Sequence, residues 1–152
     1  MPRDKRFPGF CCVALWRPKT DGNVGGSIRA AHAFGANLVV VGAPRFSQKG
    51  RVERTDPSSS HRSIPVTFTD DIFTAMPYDV PVVAIETGSD ENLQTFDHPR
   101  SCTYLFGSED RGLPDEALAK CDAHISIPSH SLNLAAAVNV VMYDRRAKIY
   151  RT

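Results

Sequence analysis

The sequence predicts an α/β fold with a mainly parallel sheet and helices on both faces. Two observations carry this. Short apolar runs bounded by Pro, Gly or polar turns alternate along the chain with segments of helical spacing. The first of these repeats, strand, turn, helix and strand within about thirty residues, is the signature of a βαβ unit with a right-handed crossover.

The elements follow in order. Phe10–Trp16 reads as a buried strand between Pro8-Gly9 and Pro18. Thr20–Gly26 reads as a turn. A helix is expected from about Gly25 to Phe34, with Ile28, Ala31 and Phe34 at helical spacing and Gly35 as its stop. Leu38–Val41 is a second buried strand and Val66–Phe68 a third. Thr69-Asp70-Asp71 caps a brief helix that runs to Met76, its carboxylates at the positive end. Pro81–Ile85 is a strand that ends in Glu86-Thr87-Gly88-Ser89, and Asp90–Arg100 reads as polar connection. Ser101–Phe106 is a strand, Pro114 the first residue of a helix to about Lys120, and Ala123–Ile127 the last strand, stopped by Pro128. A C-terminal helix is expected from Leu134 to Ile149, basic toward its negative end.

Composition narrows the class. At 152 residues, 41% hydrophobic and 23% charged, the chain suits one globular domain over 1–152. The net charge of +1 is no nucleic-acid signature by itself, so only a local basic patch could argue for one. Ala43–Ser63 is such a patch: Arg45, Lys49, Arg51, Arg54 and Arg62 face only Glu53 and Asp56, among Gly, Pro and Ser. It reads as a mobile basic loop suited to phosphate. No apolar run approaches a membrane span, and a cytoplasmic location is expected. Cys11, Cys12, Cys102 and Cys121 form no C-x-x-C pair and lie in or beside apolar runs, as reduced structural thiols do; Cys11 and Cys12 should point to opposite faces of one strand. No Cys/His cluster has metal-ligand spacing, so no metal is expected.

Three turns share a form. Asn23–Gly35, Tyr104–Pro114 and Ile127–Val138 each join an apolar run to a helix through Gly and polar residues, at the carboxyl ends of strands where α/β sheets bind ligands. The first is neither G-x-G-x-x-G nor a P-loop. Arg29 reads as a surface arginine or as a clamp for phosphate or carboxylate. Asn23 could cap the helix or orient Arg29, and Glu109 could stabilise a helix N-terminus or pair with Arg29. Ser131 and Asn133 sit where side-chain oxygens cap a helix. His130 beside Ser131 is a weak nucleophile–base lead.

Read together, the three stretches resemble the signature motifs of the SPOUT RNA methyltransferases, in the SpoU/TrmH branch of ribose 2′-O-methyltransferases. The first is carried by Asn23, Gly26, Arg29, Ala31 and Phe34-Gly35. The second is carried by Leu105-Phe106-Gly107-Ser108-Glu109 with Arg111-Gly112-Leu113. The third is carried by Ile127-Pro128, Ser131-Leu132-Asn133-Leu134 and Ala137, with Tyr143-Asp144 behind. The resemblance spans Asn23 to Tyr143. It implies a C-terminal deep trefoil knot, a homodimer, and S-adenosylmethionine held by backbone groups of three loops. Those loops are represented here by Ile85, Thr87 and Gly88, by Gly107, and by Ile127, Ser131 and Leu132. The implied catalytic set is Arg29 with Asn23, Glu109, Ser131 and Asn133. A permanently charged guanidinium is a poor base, so orienting a phosphate and stabilising a developing alkoxide is the sounder role for Arg29. The implied partner is RNA, tRNA ahead of rRNA, contacted through Arg29, Arg45, Lys49, Arg51, Arg54 and Arg62. Alternatives are an rRNA 2′-O-methyltransferase, a base methyltransferase, and a non-catalytic RNA-binding module. Asp110 departs from the usual pattern by adding charge beside Glu109.

Overall fold

A computed structural model describes residues 9–47 and 62–149. Its strands are β1 (Cys11–Trp16), β2 (Leu38–Gly42), β3 (Val66–Thr69), β4 (Val82–Ile85), β5 (Glu91–Asn92), β6 (Cys102–Phe106) and β7 (Ala123–Ser126). Its helices are α1 (Asp21–Ala33), α2 (Ile72–Ala75), α3 (Asp115–Leu118) and α4 (Leu134–Ile149), with a 3-10 turn at Leu93–Thr95. The strands form one sheet in the order β3-β2-β1-β6-β4-β7-β5, with every pairing parallel.

Register divides the core into two layers, because successive side chains of a strand leave opposite faces. Cys11, Val13 and Leu15 of β1 join Val24, Ile28 and Ala31 of α1 and Val138, Val141 and Met142 of α4 on one face. Cys12 and Ala14 join Ile72, Met76 and Leu113 on the other. The sheet is therefore covered on both faces, which explains why its strands read as continuous apolar runs. The two adjacent cysteines do part to opposite faces, and burial pushes both thiols up to about 12. All four cysteines are free.

Four expectations need correction. Helix α1 starts at Asp21, about a turn earlier than Gly25-Gly26 suggested. Thr20 is its cap, in extended conformation, and the Thr20 side chain accepts from the Asn23 amide at 3.3 Å. Asn23 is therefore a first-turn residue and not a cap. Gly26 is not a turn residue but a contact one: a Cβ there would come within 2.9 Å of the Ala135 Cβ, so the glycine lets α1 and α4 close on each other. The stretch read as polar connection contains β5, which pairs with β7 over two residues, too few to leave a periodic signal. Pro114 caps α3 from outside instead of opening it. The C-terminal helix has the expected bounds, and the Asn133 side chain caps it by accepting from the amides of Ala135 and Ala136 at 2.9 and 3.3 Å.

Candidate active site

The order of the sheet explains why distant turns meet. The segments after β1, β6, β4 and β7 leave four consecutive strands at their carboxyl ends, so they form one continuous rim. Between the last three lies a cleft of about 300 Å³. Its apolar wall includes Ile85, Phe106, Ile127, Leu132 and Leu134, and its polar wall includes Glu86, Thr87, Glu109, Ser129 and Ser131. A small, half-apolar cavity with few convergent polar groups is the usual form of a cofactor site.

The loop after β6 is folded tightly on itself. The Gly112 amide donates to the Ser108 carbonyl at 2.8 Å, and a Cβ on Gly107 would lie 2.7 Å from the Gly112 carbonyl oxygen. Only glycine at 107 lets the two arms of this loop approach.

The first loop is tied to the other two by side chains. The Asn133 Nδ2 donates to the Asn23 Oδ1 at 2.7 Å, and the Asn23 Nδ2 donates to the Glu109 Oε1 at 2.5 Å. Residues 86 and 110 positions apart are thus joined in a single line, with Asn23, 8% exposed, at its centre. Each asparagine uses both ends of its amide: Asn133 caps α4 with its oxygen and reaches Asn23 with its nitrogen. The line leads from the start of α4, through α1, to a carboxylate on the cleft wall.

The remaining expected site residues are distributed as follows. Ile85, Thr87, Gly107, Ile127, Ser131 and Leu132 all line the cleft; Gly88 does not, but sits just outside it in a left-handed turn with φ of 81°. Arg29 lies on the exposed face of α1 and outside the cleft wall. Among the described residues no ion pair joins it to Glu109, whose partner is Asn23. Arg45 is engaged within the protein: its Nη1 and Nη2 donate to both oxygens of Asp110 at 3.1 and 2.7 Å. That hydrogen-bonded guanidinium holds the Asp110 carboxyl well below the usual carboxylate range, so the extra charge is paired rather than loose. Arg62 is exposed, and Lys49, Arg51 and Arg54 lie outside the described residues. Glu86, which sequence reading placed in the turn after Ile85 without giving it a role of its own, lines the cleft directly after β4. Sequence reading passed over the Arg45–Asp110 pair, which no local pattern announces.

Residues 11–143 match the SpoU rRNA Methylase family. The chain belongs to that family. It stands in the SpoU/TrmH branch of the SPOUT superfamily. A relative from Streptomyces viridochromogenes, a 23S rRNA (uridine(2479)-2′-O)-methyltransferase, is 30% identical over 95% of this chain and 56% of its own length. The crystal structure of the SpoU methyltransferase AviRb from Streptomyces viridochromogenes, in complex with AdoMet, superposes with a TM-score of 0.85. It is 26% identical, and the match covers 99% of this chain and 64% of that one. A solved structure bearing on the 2-OH methylation of C/U34 on tRNA superposes at 0.84 and is 27% identical. There the match covers 95% of this chain and 99% of that one. The chain spans about half the length of the curated relatives it matches. Family membership accounts for the shared rim of loops. The line from Asn133 through Asn23 to Glu109 runs through residues of all three sequence motifs.

Proposed function

We propose that this chain is an S-adenosylmethionine-dependent RNA methyltransferase that methylates a ribose 2′-hydroxyl, with tRNA as substrate ahead of rRNA. The observation that carries the reading is the hydrogen-bonded line Asn133–Asn23–Glu109, which joins the three motifs beside a cleft of about 300 Å³.

The cleft fits the cofactor. Apolar side chains from β4, β6 and the segment after β7 can sandwich a flat base, and the loop pinched at Gly107 can offer backbone groups to its edge. Glu86 and Glu109 supply negative charge for a cationic ligand. When bound, the cofactor supplies a methyl group already activated by a sulfonium that leaves as a neutral thioether, so the protein's task is alignment more than activation. Glu109 keeps one oxygen on Asn23 and leaves the other for the ribose. Arg29, exposed on α1, holds an RNA phosphate and stabilises charge that develops on the 2′-oxygen as its proton passes to water. Ser131 lines the cleft beside the entry of α4, where it can orient either ligand.

We read the whole chain as one such domain, closed by a trefoil knot. The position of β4 between the later strands β6 and β7 supports that topology. A homodimer completes the reading. An apolar groove of about 480 Å³, lined by Phe34, Leu93, Ile127, Pro128, Val140 and Tyr143, runs along α4, and Tyr143 is 64% exposed. tRNA is favoured by the near full-length match to the structure concerned with tRNA position 34, whereas the Streptomyces relative favours rRNA. Among the described residues no helix is long and apolar enough to cross a membrane, in keeping with work on RNA in the cytoplasm.

The test is transfer of labelled methyl from S-adenosylmethionine to separate pools of unmodified tRNA and rRNA, followed by nucleoside digestion. Label in a 2′-O-methylnucleoside from tRNA is the expected result. Label from rRNA alone would move the substrate, label on a base would change the reaction, and no label with no cofactor binding would leave a non-catalytic RNA-binding module.

A further inference from the structure

Arg45 lies three residues beyond β2, at the base of the basic stretch, and it is bound from three sides. Its backbone amide donates to the Pro18 carbonyl at 3.0 Å, its Nε donates to the Arg17 carbonyl at 3.0 Å, and its two terminal nitrogens take both oxygens of Asp110. Asp110 itself lines the cofactor cleft. The chain is bent to make this arrangement. Arg17 and Ala43, which directly follow β1 and β2, both have φ of 43°, a left-handed conformation that non-glycine residues adopt only when their surroundings hold them there. The result is a guanidinium fixed at the edge of the cleft, between the loop that follows β6 and the base of the stretch that follows β2.

A guanidinium carries five N–H groups in a rigid fork. Three are used inward, one on Arg17 and two on Asp110. Two remain without a partner among the described residues, one on each terminal nitrogen and on opposite edges of the planar group, in a side chain that is 16% exposed beside a carboxylate that is 34% exposed. A free arginine side chain loses rotamer entropy when it is fixed; here that cost is met before any ligand arrives. A charged N–H group held still at a water-facing rim is well suited to a phosphate oxygen.

We propose that Asp110 is a positioning residue for RNA: it fixes Arg45 so that one of the remaining terminal N–H groups meets a backbone phosphate at the edge of the cofactor cleft. The proposal rests on the RNA-binding reading above and deepens it. Its consequence runs against simple electrostatics. A carboxylate should repel a polyanion, yet this one strengthens RNA binding through its partner.

The experiment measures binding of fluorescently labelled bulk unmodified tRNA by anisotropy, across a salt series, for the wild type, Asp110→Asn, Arg45→Ala and the double variant. Both single sites are exposed or at the rim, and S-adenosylhomocysteine calorimetry reports whether the cleft is intact. Asp110→Asn is expected to weaken RNA binding roughly fivefold although it makes the protein more positive, and to reduce the salt dependence by about one phosphate contact, as Arg45→Ala should. In the Arg45→Ala background, Asp110→Asn is expected to leave binding unchanged or tighten it. S-adenosylhomocysteine affinity should stay within about twofold in Arg45→Ala, whose side chain is not part of the cleft wall. Tighter RNA binding by Asp110→Asn with Arg45 present would overturn the proposal and leave Asp110 as a repelling charge. An equal loss with and without Arg45 would also overturn it. Absence of tRNA and rRNA binding by the wild type, with cofactor binding intact, would overturn the RNA reading itself and the proposal with it.

Discussion

Two lines of short hydrogen bonds run through this molecule, and they differ in how they end. One is Asn133–Asn23–Glu109 at the carboxyl rim of the sheet, with bonds of 2.7 and 2.5 Å. The other lies under α4. His98 bonds the Tyr104 hydroxyl and the Asp144 carboxylate, both at 2.6 Å; Lys148 reaches Asp144 at 2.8 Å and the Phe96 carbonyl at 3.0 Å. Arg145 adds bonds to the Pro99 and Arg100 carbonyls at 2.7 Å each and to the Tyr104 hydroxyl at 3.1 Å. Arg145 is 3% exposed and Tyr104 fully buried, and the imidazole of His98 has no exposed surface. Here charged groups end on carbonyls or on each other, and the line fastens the 93–100 segment to the helix. The rim line ends on an exposed carboxylate facing a cleft. Bond length does not separate chemistry from architecture in this fold. Saturation of donors does: the line under α4 spends the donors of His98, Arg145 and Lys148 inside the protein, and the rim line ends on a carboxylate open to a ligand.

The largest effect that would break this contrast is at Arg29. Replacement by Ala should lower methyl transfer at least 100-fold, about 2.7 kcal/mol of transition-state stabilisation, with little change in melting temperature or S-adenosylhomocysteine affinity. Single-turnover assays beside calorimetry measure both. Next is Arg145→Met, which removes a buried charge and leaves carbonyls without donors. It should cost about 3 kcal/mol of stability by chemical denaturation while the folded fraction retains its affinity for the homocysteine product. Asn23→Ala should cost only about 1–2 kcal/mol of stability, the net worth of two hydrogen bonds, but should lower transfer by more than tenfold because Glu109 and Asn133 lose their common partner.

The smallest effect is a pH dependence from the buried line. Burial lowers the His98 pKa, opposed by its hydrogen bond to Asp144, with Lys148 and Arg145 also facing the ring. The unfolded imidazole, near 6.5, therefore takes up a proton more readily than the folded one. Stability is complete above that pH and falls as pH drops through it. Melting temperature should decline from pH 7 to pH 5, and His98→Gln should flatten the decline.

The strands and the three motif turns were legible because both rest on local chemistry: apolar runs bounded by Pro and Gly, and Gly-rich turns at strand ends. The start of α1 was not, because Gly25-Gly26 punctuates a sequence as a turn does, and the reason for Gly26 is Ala135, more than a hundred positions away. Asn23 was legible as a polar residue at a helix mouth, but its partners at 109 and 133 are set by strand order. The same holds for Asp110, which read as surplus charge until Arg45 was brought beside it. Gly88 was legible as a turn glycine after β4, and its left-handed φ serves that turn.

The most direct test of the account compares Asn23→Ala with Arg145→Met in one experiment: single-turnover methyl transfer to unmodified tRNA, normalised to the folded fraction from denaturation. The account predicts that Asn23→Ala remains folded and loses transfer, while Arg145→Met loses stability and transfers at close to the wild-type rate per folded molecule. Equal transfer rates for the two variants per folded molecule would contradict the division between an open rim line and a saturated buried one.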